Sequence, residues 1–225
     1  MKTIVFATRN KGKLREIKSL LECHEVTVLS LNDYPDVPEV VEDGSTFLEN
    51  ALKKARMVSE HTGEWVIADD SGLEVDYLNG RPGVHSSRYS GPDATDDENN
   101  RKLLEALKTV PPEKRGAAFR CVLVLYKPDG TYRSFDGELR GAIARTAAGS
   151  EGFGYDPVFY VAEYGKTVAE LSPDIKNRIS HRARAFNKLK KACKKTAIDI
   201  TTGDICITHY FPAFSGSGNR KINDE

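Results

Sequence analysis

Residues 65–76 carry the feature that limits the fold most sharply. Trp65-Val66-Ile67-Ala68 is a short apolar run of the kind that forms a buried strand in an α/β sheet, and it breaks at once into Asp69-Asp70-Ser71-Gly72. In open α/β sheets ligands bind beyond the carboxyl ends of the strands, which makes acids placed there functional candidates. Successive strand side chains point to opposite faces, so Asp69 and Asp70 are expected to part. One would meet a ligand while the other tied down the turn. An Asx-type turn closing the strand would use the same residues, and this stretch alone does not choose.

The 225 residues suffice for one large domain or two small lobes. Lys plus Arg (33) balance Asp plus Glu (33), so no global field gathers long polyanions. Nucleic acid is therefore not an expected partner, although a local basic pocket stays open. Cys23, Cys121, Cys193 and Cys206 are scattered without a CxxC pair, as reduced, buried thiols would be. No long apolar span or signal sequence occurs, so a cytoplasmic protein without a membrane partner is expected.

Thr3–Ala7 reads as a first strand, followed by Thr8-Arg9-Asn10-Lys11-Gly12-Lys13 and a helix with Leu14, Ile17, Leu20 and Leu21 on one face. Lys11 and Lys13 put cations at a helix start, where the dipole favours anions. A bound phosphate would resolve that conflict, drawing on free N–H groups and on Thr8 and Asn10; solvated lysines are the plain alternative. The segment is no P-loop, since Ala7 and Leu14 stand where the first glycine and the magnesium-binding hydroxyl belong. Val26–Leu31 reads as a second strand, and Glu39, Glu42 and Asp43 form an acidic loop. Folded back towards Asp70, these carboxylates would hold Mg²⁺; otherwise they are merely solvated. Thr46 and Glu49 have capping-box spacing and open a helix with the stripe Leu48, Ala51, Leu52, Ala55 and Val58, closing near Gly63.

Ser86–Gly91 reads as packed loop or site wall. Thr95 and Glu98 cap a third helix bearing Leu103, Leu104 and Leu107. Phe119–Tyr126, the Pro128-Asp129-Gly130 turn and a partner strand from Thr131 make a hairpin, hence a mixed sheet with a second lobe. Phe153 lies between two glycines ahead of Tyr155, Asp156 and an apolar strand from Val158; a nucleobase would suit it, and taken alone ordinary packing suits it better. Ser180 is a fair N-cap for a last helix with Phe186, Leu189 and Cys193 inward. His181 and Arg182 repeat the placement of basic groups in a first turn, just after Lys176.

In this order the segments resemble the inosine/xanthosine triphosphate pyrophosphatases, the Ham1-like (RdgB-type) family. The matching stretches are Thr8–Lys13, Thr46–Ala51, Ala68–Leu73, Arg81–Val84, Gly152–Pro157 and Ile179–Arg182, within residues 2–195. The resemblance implies an α/β fold: an elongated mixed β-sheet with two α/β lobes and a central substrate cleft, related in architecture to Maf proteins. Residues 1–195 would be one two-lobed catalytic domain and 196–225 a C-terminal extension without an assigned role, though 197–201 and 205–208 alternate like strands. It implies a homodimer that hydrolyses ITP, dITP and XTP to the monophosphate and pyrophosphate with Mg²⁺, clearing them from the nucleotide pool.

Under this resemblance Asp70, Lys13 and Lys54 would be catalytic, Asp70 orienting or deprotonating the water and Lys54 adding charge from the polar side of its helix. Asp70 and Glu42 would hold the metal; in many relatives a Glu stands three residues before the glycine, where this chain has Val41. Thr8, Arg9, Asn10, Lys11, Gly12 and Lys13 would hold the triphosphate. Ser71, Phe153, Gly154, Tyr155 and Asp156 would line the base and sugar, and Lys176, His181 and Arg182 would read the purine. A pyrophosphatase for another modified nucleotide and a non-catalytic nucleotide sensor are the competing readings.

Overall fold

The computed structural model describes residues 2–21 and 26–195. The first part alternates strand and helix: β1 (Lys2–Phe6), α1 (Lys11–Leu21), β2 (Val26–Ser30), α2 (Phe47–Thr62) and β3 (Trp65–Val75). The second comprises α3 (Asp96–Ala106), β4 (Gly116–Tyr126), β5 (Tyr132–Ile143), β6 (Phe159–Val161), β7 (Lys166–Thr167), α4 (Pro173–Ile179) and α5 (His181–Lys195). These strands join one mixed sheet in the order β2-β1-β3-β4-β5-β6-β7. The crossovers through α1 and α2 make β2, β1 and β3 parallel. Strand β4 returns antiparallel to β3 after the 76–115 segment that holds α3, and the tight turn at 128–130 carries the antiparallel remainder on into β5.

The expected strand end at Asp69-Asp70 is corrected by the structure. Strand β3 runs on to Val75 because β4 pairs with it throughout, including Asp69↔Leu123, Asp70↔Val122 and Ser71↔Cys121. What ends there is the neighbour on the other side: β1 pairs only as far as Phe6↔Ile67. The two acids therefore still lie beyond the carboxyl end of a parallel strand. Alternation also holds. Ile67 packs with Ile4, Phe6 and Ile17 under α1 and α5, whereas Val66 and Ala68 pack with Ala51, Ala55 and Val58 of α2. A third cluster, including Leu73, Leu103, Leu107 and Phe159, forms the core of the second half.

Helix α2 departs from its expected stripe. Leu48 is exposed, while Phe47, Asn50, Ala51, Lys54, Ala55 and Val58 are buried at helical spacing, so Lys54 lies on the sheet-facing side and not on the polar side. Thr46 caps the helix at Glu49 N, Glu49 itself reaching Ser45, and Gly63 closes it in the left-handed region. Helix α3 starts in the complete Thr95/Glu98 capping box. Ser180 ends α4 and caps α5, its hydroxyl accepting from Ala183 N at 3.2 Å. The expected strand from Val158 begins one residue later, at Phe159.

Helix α5 lies directly on β5 at Gly137. A Cβ there would stand 2.0 Å from the His181 carbonyl oxygen and 2.6 Å from Ala185 N, so only glycine permits the approach that sets where His181 and Arg182 enter. The side chains of Leu20, Leu21 and Cys193, together with Cys23, Cys206 and the expected strands within 196–225, lie outside the described residues.

Candidate active site

The end of β1, the loop after β2, the N-terminal half of α2, the middle of β3, the 153–156 loop and the start of α5 converge on a cavity of about 360 Å³. Asp70 faces it and Asp69 does not. Asp69 is fully buried and bound on three sides: Lys13 Nζ lies 2.9 Å from Oδ2, Arg182 Nε 3.2 Å and Ser71 Oγ 3.0 Å. Burial alone would raise its pKa, but the charges of Lys13, Arg182 and Lys54 hold it well below the usual carboxylate range.

Asp70 is treated differently by its surroundings. It accepts from Asn50 Nδ2 at 3.0 Å and from Ser71 N at 2.9 Å. Burial pushes its carboxyl up; the Asn50 hydrogen bond and Lys54 oppose this, Glu42 adds to it, and the net shift is upward. Glu42 also lines the cavity and pairs with Lys54 Nζ at 2.5 Å, while Lys54 donates to the Asp69 carbonyl at 2.9 Å. Val41 is 67% exposed, so Glu42 is the residue this loop turns inward, and Asp43 pairs with Lys53 on the surface. Among the described residues no group of three or more His, Cys, Asp or Glu side chains stands in a metal-holding array. Two carboxylates on one wall suit Mg²⁺, which keeps waters and completes its shell with substrate phosphates.

At the start of α1, Asn10 Oδ1 accepts from Gly12 N at 2.8 Å and Lys13 N at 3.0 Å. This corrects the expectation that those N–H groups are free for a phosphate. Thr8, Arg9, Asn10 and Lys13 line the cavity, whereas Lys11 and Gly12 do not. Arg9 is a loop clamp as well, donating to the Leu31 and Val37 carbonyls at 3.0 Å each. Gly12 has a packing role: a Cβ there would come within 2.8 Å of the Phe153 ring.

The opposite end is aromatic and basic. Phe153 lies under two cations, with Lys176 Nζ 4.7 Å and the Arg182 guanidinium 5.1 Å from its centroid. Asp156 holds the loop by accepting from Phe153 N and from Lys176, and Glu16 pairs with both Lys176 at 2.8 Å and Arg182 at 2.9 Å. His181 stacks on Phe119 at 4.9 Å, and its Nδ1 is buried without a hydrogen-bond partner. Burial, then Arg182 and Lys176, hold its pKa well below the ordinary value, so the imidazole is neutral at pH 7.

Ser71, Phe153, Gly154, Tyr155, Asp156, His181 and Arg182 thus reach the cavity, and Lys176 stands behind Phe153 without lining it. Ser86 and Ser87 make site wall out of the loop that could have been mere packing. Sequence reasoning passed over Glu16, Asn50 and Phe119. Glu16 falls one turn from Lys13 and Asn50 one turn before Lys54, so helical spacing from the chosen lysines was the available signal.

The Ham1 family model matches residues 4–192. A dITP/XTP pyrophosphatase of Geobacter sulfurreducens is 56% identical over 190 residues, 84% of this chain and 96% of that protein. One of Geobacillus kaustophilus is 53% identical over 189 residues, covering 84% and 93%. The solved structure of a HAM1 protein from Coxiella burnetii superposes with a TM-score of 0.80 at 43% identity, covering 87% of this chain and all of that one.

Proposed function

Since this chain belongs to the Ham1 family, we infer that it hydrolyses non-canonical purine nucleoside triphosphates, dITP, ITP and XTP, to the monophosphate and pyrophosphate. The observation that carries the reading is the division between the adjacent acids. Asp69 is spent on Lys13 and Arg182, while Asp70 faces the cavity that also holds Glu42, Lys54 and the Phe153 loop.

In this reading Asp70 orients a water, and accepts its proton, for attack on the α-phosphorus; the bond to the β-phosphoryl oxygen breaks. Lys13 and Lys54, with Thr8 and Asn10, take up the triphosphate charge. Asp70 and Glu42 would hold Mg²⁺, which when bound neutralises phosphate charge and eases departure of pyrophosphate. Phe153 offers a ring to the base, and neutral His181 and Arg182 address the purine edge, where inosine and xanthine carry a 6-oxo acceptor in place of adenine's amine. An unpaired buried donor opposite adenine costs on the order of 1–3 kcal/mol, enough for a preference of roughly 5- to 150-fold. A homodimer and a cytoplasmic location belong to the same reading, the first checked by light scattering.

Pyrophosphate release from ITP, dITP, XTP, ATP and GTP, with and without Mg²⁺, tests it. Turnover is expected on the first three and to vanish with EDTA; equal rates on ATP would overturn the base assignment. Asp70→Asn should lose about 10²–10⁴-fold in kcat with nucleotide affinity retained. Affinity without turnover in the wild type would make the protein a sensor instead.

A further inference from the structure

Helix α3 is absent from the proposed reaction, yet two of its side chains grip the base-side loop at one residue. Gly154 N donates to Asp96 Oδ2 at 2.7 Å, and Asn100 Nδ2 donates to Gly154 O at 2.9 Å. Asp96 and Asn100 are four residues apart, hence neighbours on one helix face. Their position is set by the Thr95/Glu98 capping box, which makes Asp96 the first helical residue. Gly154 has φ of +64°, a left-handed conformation that holds its two polar groups in this orientation at little cost only for glycine. Asn100 is buried, and its Oδ1 has no partner. A buried amide that leaves its acceptor unsatisfied is costly, so burial of Asn100 brings no gain beyond the one hydrogen bond that its donor makes.

That hydrogen bond lies one residue from Phe153. The ring is confined on the α1 side by Gly12 and covered by Lys176 and Arg182. Its backbone is tied to Asp156 through Phe153 N, and Tyr155 Oη donates to Ser86 O at 2.8 Å. The Asp96–Asn100 grip completes the set, fixing the peptide that follows the ring.

We propose that Asp96 and Asn100 are positioning residues for the base subsite: they lock the Gly154 peptide so that Phe153 presents a fixed ring, and they set nucleotide affinity and purine selectivity without acting on the phosphates. This rests on the proposed purine triphosphate reading, and it adds α3 as the element that governs it.

The test compares Asn100→Leu with Asp96→Ala and Asp96→Asn, reading KM and kcat for ITP, the ITP/ATP ratio of kcat/KM, and inhibition by inorganic pyrophosphate, which carries no base. Asn100→Leu keeps the shape, removes the orphaned oxygen and deletes the donor; it should raise KM for ITP about tenfold and lower the ITP/ATP ratio, with kcat and the pyrophosphate inhibition constant unchanged. Asp96 is exposed, so Asp96→Ala will fold; it should behave likewise, while Asp96→Asn, which retains an acceptor for Gly154 N, should stay near wild type. Unaltered KM and selectivity in both Asn100→Leu and Asp96→Ala overturn the proposal. So does a parallel loss of pyrophosphate affinity and melting temperature, the mark of a merely structural role, and so does an Asp96→Asn variant as impaired as Asp96→Ala. A wild type that does not prefer ITP to ATP would instead refute the underlying purine reading, so the two failures are told apart.

Discussion

Replacing Gly137 with Ala should damage a cavity that Gly137 does not line. The added methyl would lie 2.0 Å from the His181 carbonyl oxygen and 2.6 Å from Ala185 N, both backbone atoms that no rotamer change can remove. Restoring ordinary contact at about 3.4 Å requires the first turn of α5 to move outward by roughly 1.4 Å, the difference from 2.0 Å. That turn carries His181 and Arg182, and a misplacement of about 1 Å in binding groups is worth roughly 10²-fold in rate. Overpacking of this kind costs about 1–3 kcal/mol of stability, which in a domain of this size lowers Tm by roughly 2–12 °C. The assay is kcat/KM for ITP at 25 °C beside a thermal melt, with Phe186→Leu as the control. Phe186 is a fully buried residue of the same helix, past its first turn, so its truncation should cost comparable stability while leaving that turn in place and kcat/KM within about threefold. If Gly137→Ala loses stability but keeps its activity, the strand yields in place of the helix and the reasoning fails.

Three further outcomes are expected. The folded-state pKa of His181 lies below its unfolded value of about 6.5, so below that pH the unfolded chain takes up a proton that the folded one refuses. Stability should therefore fall as pH drops from 7 through about 6.5 and below, and His181→Gln should remove that share of the slope in pH-dependent melts. Arg115→Met strips the donor from three carbonyls, those of Leu107, Ile143 and Ala144, and should cost about 2–4 kcal/mol in urea unfolding while activity at 15 °C survives. Lys54→Met should lower kcat at least about 10²-fold with KM for ITP changed less, since the reading gives its charge to the phosphates in the transition state; an unaltered kcat would remove it from the machinery.

Local chemistry was readable in advance. Thr46, Thr95, Ser180 and Gly63 end their helices because caps depend on a few consecutive residues. What escaped depends on distant partners. Lys54 reads as polar surface until the Asp69 carbonyl and Glu42 are found waiting beneath it. Phe47 and Leu48 are both apolar, and only the sheet decides which one faces inward. Asp69-Asp70-Ser71-Gly72 carries turn composition, yet β4 supplies a hydrogen-bonded neighbour all along it and keeps it extended. Asn10 reads as a ligand donor in the sequence, whereas its first duty in the structure is to its own helix.

The two acids on β3 are sorted by nothing more than the pleat: odd positions see α1 and α5, even positions see α2. A one-residue insertion or deletion between Val66 and Asp69 would exchange their faces, turning the ion-paired carboxylate towards the cavity and the Asn50-bound one towards the arginine and lysine. Point changes can be absorbed there singly, but changes of length must come in twos. This stretch of the gene should therefore tolerate substitution far better than shifts in length, and a library of single-codon insertions should show a gap at residues 66–71 that double-codon insertions partly refill.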